Sequence, residues 1–510
     1  MMGKRTGLLA PLSISASIIA VLCLAGSGVA QAQAGPRTGA AKTQAPAVGQ
    51  PREVPLTALI VMMSDVHFDP FHDPGKVEQL AKAQEGEWNA ILNSPPSPDQ
   101  EEAFARLQKT CKARAVDTPH TLLESGLAAM KQRAPQAAFA LVSGDLIAHD
   151  FDCRMQAVLP GKTDAEYADF VEKTVRYVVS EIRLSLTGMP VYVALGNNDT
   201  RCKDYFMDPD DAFLQATGTA MIDGLAGSPK EKKAALLSYS ATGDFSVTMK
   251  APMRRMRLIV LNDLLQSRKY KSCGEKQDTA AVDTELAWLT KQLKEARQDK
   301  QLVWVMGHIP PGIDPYSTFS RMTNVCGGSQ PVVFLSSERL ADVMGQYADV
   351  VRLGIFGHSH MDEMRLFGQE GVGAKGGKVA IKMVGSLTPW DGNGPSFTVA
   401  KIDPTSARMI DYEVMTASNT TGIGATWKKE YAYGETYHRA DFSPGSLTSL
   451  LQDFSADPDA RTAMSHAYLV NYFVGDESFL LRPLWPQYVC SMENHTVKNF
   501  AACMCPAAAK

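Results

Sequence analysis

Five apolar segments of this chain are each followed directly by a short polar segment that contains Asp, Asn or His. The five segments with their polar ends are Ala58–His67, Phe139–Asp145, Val191–Asp199, Leu302–His308 and Leu353–His360. Buried strands of α/β sheets are continuous apolar runs, and ligands of such sheets bind beyond the carboxyl ends of the strands. We therefore predict that the five polar ends converge in one crevice of an α/β fold.

The residue types at these polar ends are those required for two divalent cations. Cations held about 3.5–4 Å apart need a carboxylate that they share, with oxygen and nitrogen ligands around it. A lone Asp-x-His pair or a single buried histidine has little specificity, so the prediction depends on the joint pattern. Half of the ten histidines lie in these segments or close behind them. His67, His308, His358 and His360 lie within the segments, and His149 follows Asp145 by four residues.

The ordered set Asp-x-His, Gly-Asp, Gly-Asn-x-Asp, Gly-His and Gly-His-x-His resembles the calcineurin-like metallophosphoesterase superfamily. The resemblance implies a mixed β-sandwich flanked by helices and two divalent ions, with zinc expected and manganese or iron as alternatives. It also implies a ligand assignment. Asp145 is shared, while Asp65, His67 and His360 complete the site of one ion and Asn197, His308 and His358 that of the other.

A narrower resemblance lies in the residues around these motifs. The segments Ser64–Pro70, Asp117–Pro119, Gly144–Asp150, Gly307–Gly312, Gly357–Glu363 and Ser386–Trp390 are similar to the acid sphingomyelinase-like phosphodiesterases. The likeness covers most of the chain after the N-terminal region. It implies hydrolysis of a phosphodiester by direct attack of a hydroxide that bridges the two ions, without a covalent enzyme intermediate.

The chain departs from the commonest family pattern at one position. Most members have Gly-Asn-His where this sequence has Gly196-Asn-Asn-Asp199, a variant that is also similar to the endopolyphosphatases of the superfamily. Asn198 can donate a hydrogen bond but cannot deliver a proton near neutral pH. His149 lies four residues after Asp145 in a segment similar to the acid sphingomyelinase-like phosphodiesterases, so we predict that it is the general acid instead. Asn197 and Asn198 are predicted to hold the phosphate side of the site.

Trp390 and Asp391 are predicted substrate-binding residues at the entrance of the site. The alternative is that this pair belongs to a packed turn. The substrate is expected to be a soluble phosphodiester, a nucleotide or polyphosphate, because the sequence leaves no room for a lipid-binding domain between the N-terminal region and Leu56. A sphingomyelin-type lipid hydrolase and a non-catalytic module that binds metal and phosphate remain as alternatives.

The chain divides into four predicted regions. Residues 1–34 resemble a signal peptide, with Lys4 and Arg5 before an apolar stretch and small residues at its end, and an uncleaved anchor is the alternative. Residues 35–55 are a linker rich in Ala, Pro, Gly and Gln. Residues 56–415 form the catalytic domain, and residues 416–510 form a helical subdomain that contains cysteines.

Two further expectations concern secondary structure. Strand-like segments at 236–239, 245–249 and 257–261 predict antiparallel additions, so that the sheets are mixed. Helical spacing predicts that Trp427, Tyr431, Leu447, Leu450 and Leu451 lie in C-terminal helices.

Cysteine count and charge limit the compartment and the partners. Eight cysteines follow the predicted signal, an even number that permits up to four disulfides in an oxidising space, so we expect a periplasmic or extracellular protein. The formal charge of −4 shows no basic excess for wrapping a polyanion. A small phosphate ester is thus the expected partner, and sequence-specific binding of nucleic acid is not expected. Membrane contact stays an alternative that no feature indicates, and the sequence leaves the oligomeric state open.

Overall fold

Twelve strands form two six-stranded sheets in the computed structural model, which describes residues 57–253, 255–368, 376–475, 477 and 481–506. The strands are β1 (Ala58–Met63), β2 (Ala140–Val142), β3 (Val191–Val193), β4 (Phe245–Thr248), β5 (Met256–Val260), β6 (Leu302–Met306), β7 (Val351–Phe356), β8 (Glu363–Gly368), β9 (Lys378–Met383), β10 (Ser396–Asp403), β11 (Arg408–Ala417) and β12 (Trp427–Ala432). The first sheet has the order β12-β11-β10-β1-β2-β3 and the second β4-β5-β6-β7-β9-β8.

The strands that carry the sequence motifs are parallel neighbours within their sheets. In the first sheet β1, β2 and β3 are parallel neighbours, and in the second β6 and β7 are parallel neighbours. Parallel neighbours end at the same edge of a sheet, so the polar segments that follow them emerge together. Antiparallel strands complete both sheets, which confirms the predicted mixed α/β architecture.

Sixteen α-helices flank the two sheets in the part of the chain described above. They are α1 (Val77–Lys82), α2 (Trp88–Leu92), α3 (Gln100–Cys111), α4 (His120–Arg133), α5 (Phe151–Val158), α6 (Asp164–Ser185), α7 (Ala212–Ile222), α8 (Pro229–Thr242), α9 (Ala280–Gln298), α10 (Pro315–Ser320), α11 (Arg339–Gln346), α12 (Tyr433–Tyr437), α13 (Pro444–Ser455), α14 (Ala463–Asn471), α15 (Trp485–Glu493) and α16 (Val497–Met504).

Two expectations about secondary structure are wrong. Residues 236–239 lie in α8 rather than in a strand, because Ser228 and Glu231 form a capping box at its start and Gly243 ends it in the left-handed conformation. Trp427 and Tyr431 lie in β12, which pairs with β11. Residues four apart share a face of a helix and also a face of a strand, so their spacing could not distinguish the two.

The C-terminal leucines do lie in a helix, since α13 buries Leu447, Leu450 and Leu451. The predicted signal peptide and the whole predicted linker fall outside the described residues, and the division at residues 415 and 416 stays a prediction. None of the helices that the structure describes is both long enough and apolar enough to span a bilayer.

All eight cysteines that follow the predicted signal are paired. The four disulfides are Cys111–Cys153, Cys202–Cys273, Cys326–Cys505 and Cys490–Cys503. Two of them connect the C-terminal segment to itself and to the loop after α10. The even number of cysteines predicted the bridges, whereas their connectivity required the structure.

One apolar cluster includes residues of both sheets, and Trp304 joins them within it. This tryptophan of β6 is fully buried, its ring contacts Phe139 at the start of β2, and its indole Nε1 donates to the carbonyl of Ala407 at 2.8 Å. Ala407 lies in the turn between β10 and β11 of the other sheet. The contact therefore couples the sheets that carry the two halves of the polar edge.

We predict that Trp304→Phe lowers the free energy of unfolding by about 1–3 kcal/mol, because it leaves the buried Ala407 carbonyl without its donor and a small void beside it. Urea unfolding followed by circular dichroism measures the change. Trp288→Phe on α9 is the matched control, since this indole is only partly buried. Equal losses in the two variants would contradict the role given to Trp304.

Candidate metal centre

The loops that follow β1 and β2 lie side by side at the shared sheet edge. The amide of Asp65 donates to the carbonyl of Gly144, and the amide of His67 donates to that of Asp145. These two bonds continue the parallel pairing of the strands beyond their ends. The first two polar segments are consequently in register, with Asp65, His67 and Asp145 in one group.

Asp145 lies between the two sets of predicted ligands. Its Oδ2 is 3.4 Å from His67 Nε2 and 3.1 Å from His308 Nε2. Asp65 Oδ1 lies 3.5 Å from His360 Nε2. The potential ligand atoms of Asp145, His308 and His358 all lie within 4.8 Å of one another. The structure therefore brings together the residues assigned to each ion around one carboxylate, while their roles as ligands stay predictions.

The buried lone pairs of the site fit two divalent cations. His67 Nε2, His308 Nε2 and Asn197 Oδ1 are buried and have no hydrogen-bond partner within the described residues. The opposite ring nitrogens are occupied, because His67 Nδ1 lies 2.9 Å from the Ile147 carbonyl and His308 Nδ1 lies 2.7 Å from that of Ser143. Outer hydrogen bonds of this kind fix the tautomer of a metal-binding imidazole and leave the inner nitrogen free.

The electrostatics of the centre favour positive charge. Burial opposes ionisation of Asp145, but His308 and His67 hold the pKa of its carboxyl well below the usual range. Burial likewise opposes protonation of His308, yet Asp145 and Asp65 raise its pKa to about 10. The two buried carboxylates thus favour positive charge at this edge, and divalent cations would supply it on binding.

Backbone conformation at the site is unusual. Five predicted ligands have left-handed φ angles, namely Asp65, His67, Asp145, His358 and His360. Such conformations are uncommon for residues other than glycine and are concentrated at functional sites. The glycines beside them permit close approach, since a Cβ on Gly357 would lie 1.9 Å from Ser64 Oγ and one on Gly196 would lie 2.1 Å from Asp145 Oδ1.

The two asparagines of the Gly-Asn-Asn-Asp motif have different environments. Asn197 donates through Nδ2 to Asp204 Oδ1 at 2.7 Å, which leaves its carbonyl oxygen free. Asn198 donates to both oxygens of Asp145, from its backbone amide at 2.8 Å and from Nδ2 at 3.0 Å. Asn198 therefore orients the shared carboxylate, a contact that the sequence analysis did not predict.

His149 lies beside the predicted ligands in a stack of three rings. Its ring is 3.9 Å from that of His67 and 4.2 Å from that of Trp390, measured between centroids. Its Nδ1 lies 2.8 Å from Asp117 Oδ1, and Arg154 donates to the other oxygen of Asp117. Burial opposes ionisation of Asp117, but His149 and Arg154 hold its pKa below the usual range. An ionised carboxylate therefore supports the imidazole.

Trp390 and Asp391 lie at the site but differ from the expected arrangement. Trp390 is almost completely buried and covers one face of His149. Asp391 Oδ2 lies 3.1 Å from His360 Nδ1, and Arg114 donates to its other oxygen at 2.6 Å. Asp391 thus orients a predicted ligand, and the contact of either residue with substrate stays a prediction.

Two carboxylates that the sequence analysis did not single out hold the ligand loops. Asp199 accepts from the amides of Leu146, Ile147 and Gly196, and Asp263 accepts from those of His308 and Ile309. Asp199 belongs to the recognised Gly-Asn-Asn-Asp motif, so a signal for it was present. Asp263 follows β5 outside any motif, and only the fold brings it to the His308 loop.

Comparison with known proteins agrees with this geometry. The family model for calcineurin-like phosphoesterases matches residues 58–362. Acid sphingomyelinase-like phosphodiesterase 3b of Mus musculus is 24% identical over 461 residues, which cover 87% of this chain and 89% of that protein. Cyclic GMP-AMP phosphodiesterase SMPDL3A of Bos taurus is 24% identical over 495 residues, which cover 94% of each protein.

A crystal structure of a dimetal phosphatase from Danio rerio is similar with a TM-score of 0.38 and 11% identity, over 74% of this chain and 99% of that one. The family match spans more than half of the chain and includes every strand that leads into the site. It confirms the resemblance inferred from the motifs. The protein therefore belongs to the calcineurin-like phosphoesterase family and is a metal-dependent phosphoester hydrolase.

Proposed function

We propose that this protein is an exported phosphodiesterase with two divalent metal ions, zinc being the preferred metal, that hydrolyses soluble phosphodiesters, nucleotides or polyphosphate. The observation that carries the proposal is the arrangement around Asp145. Three buried atoms that lack a hydrogen-bond partner in the described chain, on His67, His308 and Asn197, lie beside two buried carboxylates at one sheet edge. When bound there, two divalent cations supply an activated water and neutralise phosphoryl oxygens.

The Asp117–His149 pair is proposed to provide the proton for the leaving group. Asp117 holds Nδ1 of the imidazole, so that Nε2 is the ring nitrogen left to face the leaving group. The His149 side chain is 21% exposed, whereas the ring of His67 beside it is fully buried. Of the two stacked histidines, His149 is thus the one that is accessible to the leaving group of a bound substrate.

Positioning of the phosphate is proposed for Asn197, Asn198 and the ligand histidines. The backbone and side-chain amides of Asn198 fix both oxygens of Asp145, so the shared carboxylate keeps one orientation during turnover. An orientation held before substrate binds lowers the cost of reaching the transition state. Because Asn198 replaces the usual histidine and cannot deliver a proton, His149 is proposed to donate it.

A cavity of about 250 Å³ beside the centre supports a substrate with an organic group. It is lined by His149 and Asn198 of the site and by Tyr167, Phe206 and Lys203, and the carboxylates of Asp150, Asp152 and Asp204 also line it. Aromatic rings suit a planar substituent on the phosphate. One relative is named as a cyclic GMP-AMP phosphodiesterase, which supports a nucleotide as the substituent.

Export is proposed on two observations. Four disulfides are typical of proteins that fold in an oxidising compartment, either the periplasm or the extracellular space. Lys4 and Arg5 before an apolar stretch are typical of a signal peptide.

We predict that chelation abolishes hydrolysis of bis-nitrophenyl phosphate by the protein without its signal, and that zinc, manganese or iron restores it. Nitrophenyl phosphate assayed in parallel gives the ratio of diesterase to monoesterase activity, which we expect to exceed one. Metal analysis of the same samples should give two ions per chain. Two bound ions without cleavage of either ester would contradict the proposal and favour a module that binds metal and phosphate.

We predict that His149→Ala slows cleavage of a dinucleotide by about 10²–10⁴-fold, because its alkoxide leaving group needs a proton. Cleavage of bis-nitrophenyl phosphate should fall much less, since nitrophenolate leaves without one. The rates are measured at saturating metal with both substrates. His466→Ala is the control, because this histidine is half exposed and pairs with Glu477. Equal losses with both substrates would exclude His149 as the general acid.

A further inference from the structure

The segment that follows the Gly-Asn-Asn-Asp motif returns to the metal centre at Asp204 and Tyr205. The amide of Tyr205 donates to the carbonyl of Asn197 at 3.0 Å, and the amide of Lys271 donates to the carbonyl of Tyr205 at 3.1 Å. These bonds hold Tyr205 with a φ of +66°. A bulky side chain in the left-handed region is an outlier that persists only when its surroundings impose it. Neither residue belongs to a motif of the sequence analysis.

Asp204 determines which end of the Asn197 amide faces the centre. Its Oδ1 accepts from Asn197 Nδ2 at 2.7 Å. A carboxylate accepts only, so it binds the nitrogen end of the amide and excludes the flipped orientation. The oxygen of Asn197 is left buried and without a hydrogen-bond partner within the described residues. Oxygen is the amide atom that binds a cation, so Asp204 presents the correct one.

Tyr205 contacts Nε2 of His358, whereas the other predicted histidine ligands are held through Nδ1. In His67, His308 and His360 the outer partner lies at Nδ1, and Nε2 faces the carboxylates. In His358 the partner lies at Nε2, which is 3.4 Å from the Tyr205 hydroxyl. In each of these histidines one ring nitrogen is held by a protein group and the other is left to bind an ion. For His358 the nitrogen left for the ion is Nδ1.

Lys269 fixes the position of the phenol. Its Nζ lies 3.1 Å from the Tyr205 hydroxyl oxygen and 4.3 Å from the centre of the ring. The tyrosine side chain is 6% exposed, so packing and this ammonium group together restrict it to one orientation. The hydroxyl oxygen is therefore a fixed partner for His358 rather than a rotating one.

We propose that Asp204 and Tyr205 are positioning residues for the ion assigned to Asn197, His308 and His358. Asp204 selects the amide oxygen of Asn197, and Tyr205 selects Nδ1 of His358 as the ligand. The inference rests on the proposed function, because it takes that ligand set as given. It adds that one dipeptide outside the family motifs sets the affinity of one ion and leaves the other unaffected.

Cobalt titration of the metal-free protein tests the proposal. The chain without its signal is treated with chelator and titrated with Co²⁺ in competition with a chromophoric chelator, while the ligand-field absorption is recorded. Wild type should bind two ions. Tyr205→Phe keeps the ring and removes only the hydroxyl, so one ion should bind as in wild type and the other about 10–100-fold more weakly, with altered absorption of that ion alone. Asp204→Ala should weaken the same ion.

The control is Tyr316→Phe, which removes a hydroxyl from a tyrosine of α10 that is 59% exposed and should leave both affinities unchanged. Thermal unfolding of the metal-free proteins shows whether each variant is folded, and Asp204→Ala retains the test if Tyr205→Phe does not fold. Two affinities within twofold of wild type, or equal weakening of both ions, would overturn the positioning role. A wild-type chain that binds no Co²⁺ would instead overturn the proposed function.

Discussion

The site depends on the contacts of one buried carboxylate, that of Asp145. It follows β2 in the first sheet, yet it lies 3.1 Å from a histidine that follows β6 in the second. His67 from the end of β1 and Asn198 from the end of β3 complete its surroundings. A charge buried at this position is unfavourable unless it is compensated, and its partners come from three other strand ends. The site therefore forms only when the two sheets are correctly packed.

Other buried carboxylates hold the ligand loops by one repeated interaction. Asp65 accepts from the amide of His358, Asp199 from the amides of Gly196 and Leu146, and Asp263 from that of His308. Burial raises the pKa values of Asp199 and Asp263, and the backbone donors oppose this rise. The pKa of each carboxyl is about 7 as a result. Each loop that carries a ligand is thereby tied to a different segment of the chain, which stabilises left-handed backbone angles that would otherwise be unfavourable.

The site has two sides with different chemistry. On the side of His67, Arg154 donates to Asp117, and Asp117 contacts His149. The proton of the leaving group is proposed to come from this side. Asp204, Tyr205 and Lys269 lie on the side of His358. One residue of each side, His149 and Asp204, lines the cavity beside the centre. A substrate bound there would contact the proposed proton donor and Asp204.

The sequence by itself determined the strands that lead into the site, the residue types at their ends and the family, because apolar runs followed by Asp, Asn and His reflect local requirements of buried strands and hard cations. It also determined the even number of cysteines. Only the tertiary structure decided which cysteines pair, that Trp427 and Tyr431 lie in a strand, and that Asp391 holds His360. Only the tertiary structure also showed the contacts of Asp263 and Tyr205, which lie outside the sequence motifs. Their partners are 45 and 153 residues away in the chain, and contacts at that separation depend on how the sheets pack rather than on local pattern.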